Sequence, residues 1–195
     1  MNIVERAKGI ILNPKEEWEK ISQETNTPRV ILTSYLIPLA LIPAIAGLIG
    51  FGLIGGPFTT FSYGIKYALI ILLSTIGGAY LSALVIDQLA TSFNSEKNFA
   101  RAFALVVFSF TPMLIAGVLY LLPVVNFLVY FIYIAGIYGL YILYLGMKPM
   151  MKSPDDKVPV YYVVSLLVLI VSYALLYKIL FRIFIGSMIR AATGF

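Results

Sequence analysis

The chain has neither cysteine nor histidine. The first absence removes disulfides, thiolate nucleophiles and thiolate metal sites, and the second removes the imidazole base and the commonest transition-metal ligand. Charge is scarce as well: 12% of the residues are Asp, Glu, Lys or Arg, against about 25% in an ordinary soluble domain. No glycine-rich phosphate loop, nucleophile elbow, zinc motif or paired-carboxylate arrangement occurs. The acidic clusters at Glu16, Glu17, Glu19 and at Asp155, Asp156 stand outside the apolar runs, where solvation explains them. The expectation is a non-enzymatic chain with no cofactor and no metal.

What is present instead is hydrophobic sequence, 61% of 195 residues, in runs too long for a soluble core. A crossing of the hydrocarbon layer takes roughly 20 helical residues. Val30 to Ile65 carries no charge, and its glycine- and proline-rich end from Gly50 to Gly64 reads as a loop. Tyr67 to Ile86 is a second uncharged run, and Val158 to Tyr177 is another, opening at Pro159 in its first turn. Ala102 to Met147 is about two crossings long, with Leu122, Pro123 and Asn126 as turn signals at its midpoint, so it folds as a helical hairpin. The fold class is therefore all-α: a bundle of five transmembrane helices, spans about 30–53, 67–89, 102–122, 126–147 and 158–181 within a domain over 30–183. A cytoplasmic amphipathic segment, 1–29, precedes it, and a short extracytoplasmic tail, 184–195, follows.

The net charge of +5 does not point to nucleic acid, because the basic residues never form a run or a stripe. They sort instead by side of the membrane. With the amino terminus inside, the inner segments hold ten: Arg6, Lys8, Lys15, Lys20, Arg29, Lys97, Arg101, Lys148, Lys152 and Lys157. The outer segments hold four: Lys66, Lys178, Arg182 and Arg190. Positive residues are retained on the cytoplasmic side, which predicts a cytoplasmic amino terminus and an external carboxyl terminus. The opening residues mix acids with bases and have no apolar core before a small-residue cleavage site, so the first span is expected to act as an uncleaved targeting signal.

The segment before the first span has helical features. Asn13 is placed to cap a helix that begins at Pro14, with Glu16 at capping-box spacing. Trp18 and Ile21 share one face of that helix, and Ile3, Ala7 and Ile10 repeat similarly ahead of it. The reading is a pair of short interfacial helices with Trp18 at headgroup depth, so that Pro14, Trp18 and Ile21 form a candidate surface for a lipid or a cytoplasmic protein partner.

Candidate polar groups within the spans are few. Asp87 is the one acid there, and a carboxylate in a membrane raises functional suspicion. It falls in the last turn of span two, near the cytoplasmic headgroups, where Lys97, Arg101, Arg29 or solvent can satisfy it. On span four, Tyr130, Tyr133, Tyr141 and Tyr144 fall on one face and Ala135, Gly136, Gly139 and Gly146 on the other, so the tyrosines and Asp87 are the candidate polar pathway. Tyr67, Ser74, Gly78 and Ser82 align on span two, where small residues favour close helix packing and self-association. Pro38, Pro43 and Pro112 lie inside spans and are candidate kinks.

Asn13 to Lys20 (NPKEEWEK), Phe99 to Pro112 (FARAFALVVFSFTP) and Tyr138 to Met147 (YGLYILYLGM) give the chain a family likeness. It resembles the Yip-domain multi-pass membrane proteins, in particular their short bacterial members, from the first helix through the fifth span. The resemblance implies a five-span helical domain with a cytoplasmic amino terminus, in a bacterial cytoplasmic membrane. Eukaryotic members of that family are associated with vesicle traffic and Rab-type GTPases. This chain lacks their long amino-terminal region and the DLYGP signature before the first span, so no GTPase partner and no functional residue is carried over. Two functions fit what is present. One is a membrane scaffold that binds lipids and a cytoplasmic partner, and the other is a transporter or lipid-translocating protein with a pathway between spans one, three and four.

Overall fold

The computed structural model describes residues 2–55, 60–123 and 127–186. Every regular element among them is helical. Two ten-residue helices, α1 (Ile3–Leu12) and α2 (Pro14–Gln23), meet at Asn13 and fold back on each other. Five helices long and apolar enough to cross a membrane follow: span one Pro28–Ile54, span two Phe61–Phe93, span three Phe99–Leu121, span four Tyr130–Met151 and span five Val158–Phe184. The α1–α2 hairpin and the connections after spans two and four share one end of the bundle, here called the hairpin end, and the opposite end is the distal end.

The helix starts follow local chemistry. Asn2 accepts the backbone N–H groups of Val4 and Glu5, Thr27 that of Val30, Thr60 that of Tyr63 and Asn98 that of Arg101. Each fills one of the donors a helix leaves free in its first turn. Asn13 is not among them. Its side chain makes no capping bond, because its own N–H closes α1 on the Gly9 carbonyl and the residue serves as the hinge between two helices. Helix α2 starts on Pro14, whose missing N–H is no loss there.

The prolines act differently from one another. In span three Pro112 cannot donate to the carbonyl of Phe108, and the helix breaks at Phe110. The Thr111 hydroxyl takes that carbonyl at 2.6 Å, and the Tyr35 hydroxyl, 2.8 Å away, donates to Thr111 in turn. The kink is thus satisfied by side chains from two spans. Pro38 follows a wide π-type turn over Leu32–Leu36, closed by the Ile37 N–H on the Leu32 carbonyl, which absorbs the missing donor. Pro43 stays inside its helix.

Glycines read as a loop between Gly50 and Gly64 belong largely to helices, since span one runs to Ile54 and span two starts at Phe61. They are there for a crossing. A Cβ on Gly64 would lie 2.6 Å from both the Gly52 Cα and the Leu48 carbonyl oxygen, so only glycine permits this backbone contact. Gly64→Leu is expected to lower the melting temperature in detergent by forcing the helices apart, at an overpacking cost of roughly 1–3 kcal/mol. Of the turn signals expected between spans three and four, Leu122 and Pro123 follow the end of span three, while Asn126 lies outside the described residues, as does Arg190 in the tail.

Candidate functional site

The α1–α2 hairpin does not lie flat as an interfacial layer. It stands along spans three and four. Trp18 is wholly buried, with its Nε1–H donating to the Ile142 carbonyl at 2.9 Å and its ring edge-on to Phe108. Gly146 makes room for it, since a Cβ there would meet the indole at 2.6 Å. Nearer the hairpin tip, the Tyr138 hydroxyl donates to the Ile11 carbonyl at 2.6 Å, one of the last-turn carbonyls of α1 without a helical partner. Tyr138 stands 13 residues before the end of span four at Met151, or about 20 Å along its axis. The hairpin therefore reaches far up the bundle.

An ion pair ties the two short helices together. Arg6 donates to Glu17 at 2.6 Å and also to Glu24, and its guanidinium lies 5.8 Å from the centre of the Phe108 ring. The side chains of Arg6 and Glu17 are each only 10% exposed. The opposite face of α2 carries Lys15, Glu16, Glu19 and Lys20, all exposed. Bare charge in hydrocarbon is too costly to hold there, so this flank of the bundle is wetted.

These placements correct the expected interface. Trp18 and Ile21 are core residues, and Pro14 is half-buried at the turn. None of the three offers an open surface, because the apolar stripe of α2 is spent on the bundle. What remains open to a partner is the charged face beside it.

The two-sided pattern of span four holds, with its sides reversed from a pathway. Tyr130, Tyr133, Tyr141 and Tyr144 are exposed on the outside of the bundle, Tyr130 by 66%. The small side faces in, with Gly139 against the Ser109 carbonyl and Gly146 against Trp18. Close backbone approach is what association in lipid rewards, and the large rings are left facing outward. Asp87 is likewise remote from that face. It sits 5% exposed near the hairpin end of span two, and its Oδ1 has no hydrogen-bond partner among the described residues. Of the expected cations, Lys97 bonds Gln88 and Arg101 pairs with Glu96, while Arg29 is an exposed residue near the start of span one. Beside Asp87, the Tyr161 hydroxyl donates to the Ile86 carbonyl at 2.6 Å and locks span five to span two.

Sequence reasoning missed a second tyrosine group, at the distal end. Tyr63, Tyr67 and Tyr120 gather around Phe51, with the Phe51–Tyr67 ring centres 4.4 Å apart. These rings come from three spans, so no periodicity within one helix reveals them.

A family model, the Yip1 domain, matches residues 8–176. The chain belongs to the Yip1 domain family. The match starts inside α1 and takes in the turn at Asn13 and all of α2, so the helix that carries Trp18 falls within the domain. The chain matches no curated protein, and it matches no solved structure.

In this Yip1 domain the connections at the hairpin end are stitched to each other. Asn94 and Lys152 end their helices in the left-handed conformation, at φ 54° and 49°. Ser95 and Ser153 share a hydrogen bond at 2.7 Å, and the Glu96 N–H donates to the Met151 carbonyl at 2.8 Å. The Glu96 carboxylate is paired with Lys152 at 2.5 Å and with Arg101 at 3.3 Å. The Lys152 bond, then the nearby charges, hold its carboxyl below the ordinary glutamate value of 4.5. A depressed folded value means that the pairing stabilises fully above that ordinary value and is lost as pH falls through the folded one. Protection of the amides of residues 94–98, taken relative to the intrinsic exchange rate at each pH, is expected to fall below about pH 4.5 in the wild type and to be lowered already at neutral pH in Glu96→Gln, by an amount fitting an exposed pair, under ~1 kcal/mol. Among the described residues no group of acids and imidazoles could hold a metal.

Proposed function

We infer that this Yip1 domain protein is a non-enzymatic membrane scaffold, with its amino terminus in the cytoplasm of a bacterial cell and its working surface on the charged flank of the hairpin. The observation that carries this reading is the packing of the hairpin end. Tyr35, Phe108 and Trp18 are all wholly buried there, with the Phe108 ring against both of the others, and they stand between spans one, three and four where a solute pathway would run. The charge distribution supports the orientation, since ten of the fourteen basic residues fall on the hairpin side. Lys15, Glu16, Glu19 and Lys20 form a rigid mixed-charge surface held by α2, suited to a polar partner of complementary charge.

The reading is tested in two arms. Reconstituted into vesicles, the full chain is expected to leave the flux of small ions and neutral solutes at the level of empty vesicles, and added flux would favour the transport alternative. In cells, Lys15→Glu together with Glu19→Lys, which leaves the Lys20–Glu17 contact in place, is expected to abolish recovery of crosslinked partners without lowering the melting temperature. Unchanged crosslinking would remove the α2 flank as the working surface.

A further inference from the structure

The exposed charges of α2 lie too deep to be left to lipid. The chain is pinned to span four at two levels, by Ile11 at Tyr138 just ahead of α2 and by Trp18 at Ile142. Lys148 is the first charge of span four, so these levels stand ten and six residues inside it, or about 15 and 9 Å into a hydrocarbon layer of roughly 30 Å. Lys15 and Glu16 fall between the two levels and Glu19 and Lys20 follow within a turn, all four exposed. Lys15 with Glu19 and Glu16 with Lys20 have the four-residue spacing of pairs that close within one helix. Among the described residues neither pair forms, and only Lys20 meets a counter-charge, at Glu17. Charges facing acyl chains are too costly to persist, so something polar covers this flank at depth.

The order of the four charges identifies the cover. At ~100° per residue, Lys15 and Glu19 stack in one column of the helix surface, and Glu16 and Lys20 in the column beside it. Two copies inserted in the same direction are related by a two-fold axis along the membrane normal, which sets α2 beside α2, pointing the same way and at equal depth. Rotation about that axis brings the first column of each copy against the second column of the other. Lys15 then meets Glu16 of the second copy and Glu19 meets Lys20, each pair within ~1.5 Å in depth, and no like charges are opposed. We propose that the α2 flanks of two copies of this chain meet across such an axis and shield each other's charges from lipid. This dimer rests on the charged flank being the working surface, and it makes a second copy the partner.

The chain has no cysteine, so Gln23→Cys introduces a single thiol, at an exposed position on the line between the two columns. The full chain carrying it is reconstituted at low density in vesicles and treated with a short bis-maleimide. A covalent dimer is expected. Lys15→Glu alone, or Glu16→Lys alone, is expected to lower its yield about tenfold, since either reversal sets like charges face to face on both sides of the axis. Both side chains are exposed and unpaired within one copy, so the melting temperature of each variant should stay at the wild-type value. Vesicles holding the two variants together should recover most of the yield, because each reversal then meets its complement. Absence of a covalent dimer, a yield indifferent to the reversals, or no recovery in the mixture would overturn the dimer. If cellular crosslinks were nevertheless lost in Lys15→Glu with Glu19→Lys, the flank would stand as a working surface for a partner other than a second copy.

Discussion

Trp18→Ala is expected to destabilise the protein by roughly 3–5 kcal/mol, the usual cost of emptying a large aromatic site in a packed core. The indole is the plug between spans three and four, touching Phe108 and filling the space that Gly146 leaves. Its loss opens a cavity and removes the hydrogen bond to the Ile142 carbonyl. Trp18→Phe keeps most of the volume and gives up mainly that bond, so its cost should be nearer ~1 kcal/mol. Gly146→Leu attacks the same contact from the other side and should reproduce the alanine variant. Thermal unfolding in detergent ranks the three, and limited proteolysis adds a local signature, because an undocked hairpin is cut within residues 1–27 before the spans are lost. An interfacial Trp18 would instead leave the melting temperature of the alanine variant within a degree or two of wild type.

Glu17→Gln is expected to cost roughly 1–3 kcal/mol, because it leaves the largely buried Arg6 with Glu24 as its remaining carboxylate partner. The guanidinium has little water to fall back on. It bonds Glu17 and Glu24 and faces the Phe108 ring, while its Nε already lacks a partner among the described residues. Removing both charges is a different matter, since two apolar side chains of similar volume avoid the desolvation penalty altogether. Arg6→Met combined with Glu17→Leu should therefore recover most of the stability lost by Glu17→Gln. A double-mutant cycle over Arg6 and Glu17 measures the coupling directly, and additive effects would show that the pair is solvated.

Five spans were legible because bilayer thickness imposes a length on uncharged sequence, and lysine and arginine mark the ends. The face of α2 that holds Trp18 and Ile21 was equally plain, but what it faces was not. Amphipathicity states that one side of a helix is apolar without saying whether lipid or protein covers it, and here spans three and four do. Span four shows the same limit: tyrosines and glycines separate cleanly along the sequence, while the inward turn of the glycines follows from packing against Ser109 and Trp18. Gly50 to Gly64 misled for another reason. Glycine marks both a turn and a close helix crossing, and only the approach of Gly64 to Gly52 distinguishes them. The distal tyrosine group is assembled from separate spans, so no local pattern announces it.

Trp18 is the only tryptophan in the chain, and its fluorescence tests the docked hairpin most directly. In vesicles, emission is expected to be blue-shifted and insensitive to aqueous acrylamide, and to lose both properties in Gly146→Leu. Red-shifted emission readily quenched by acrylamide in the wild-type protein would contradict a hairpin packed into the bundle.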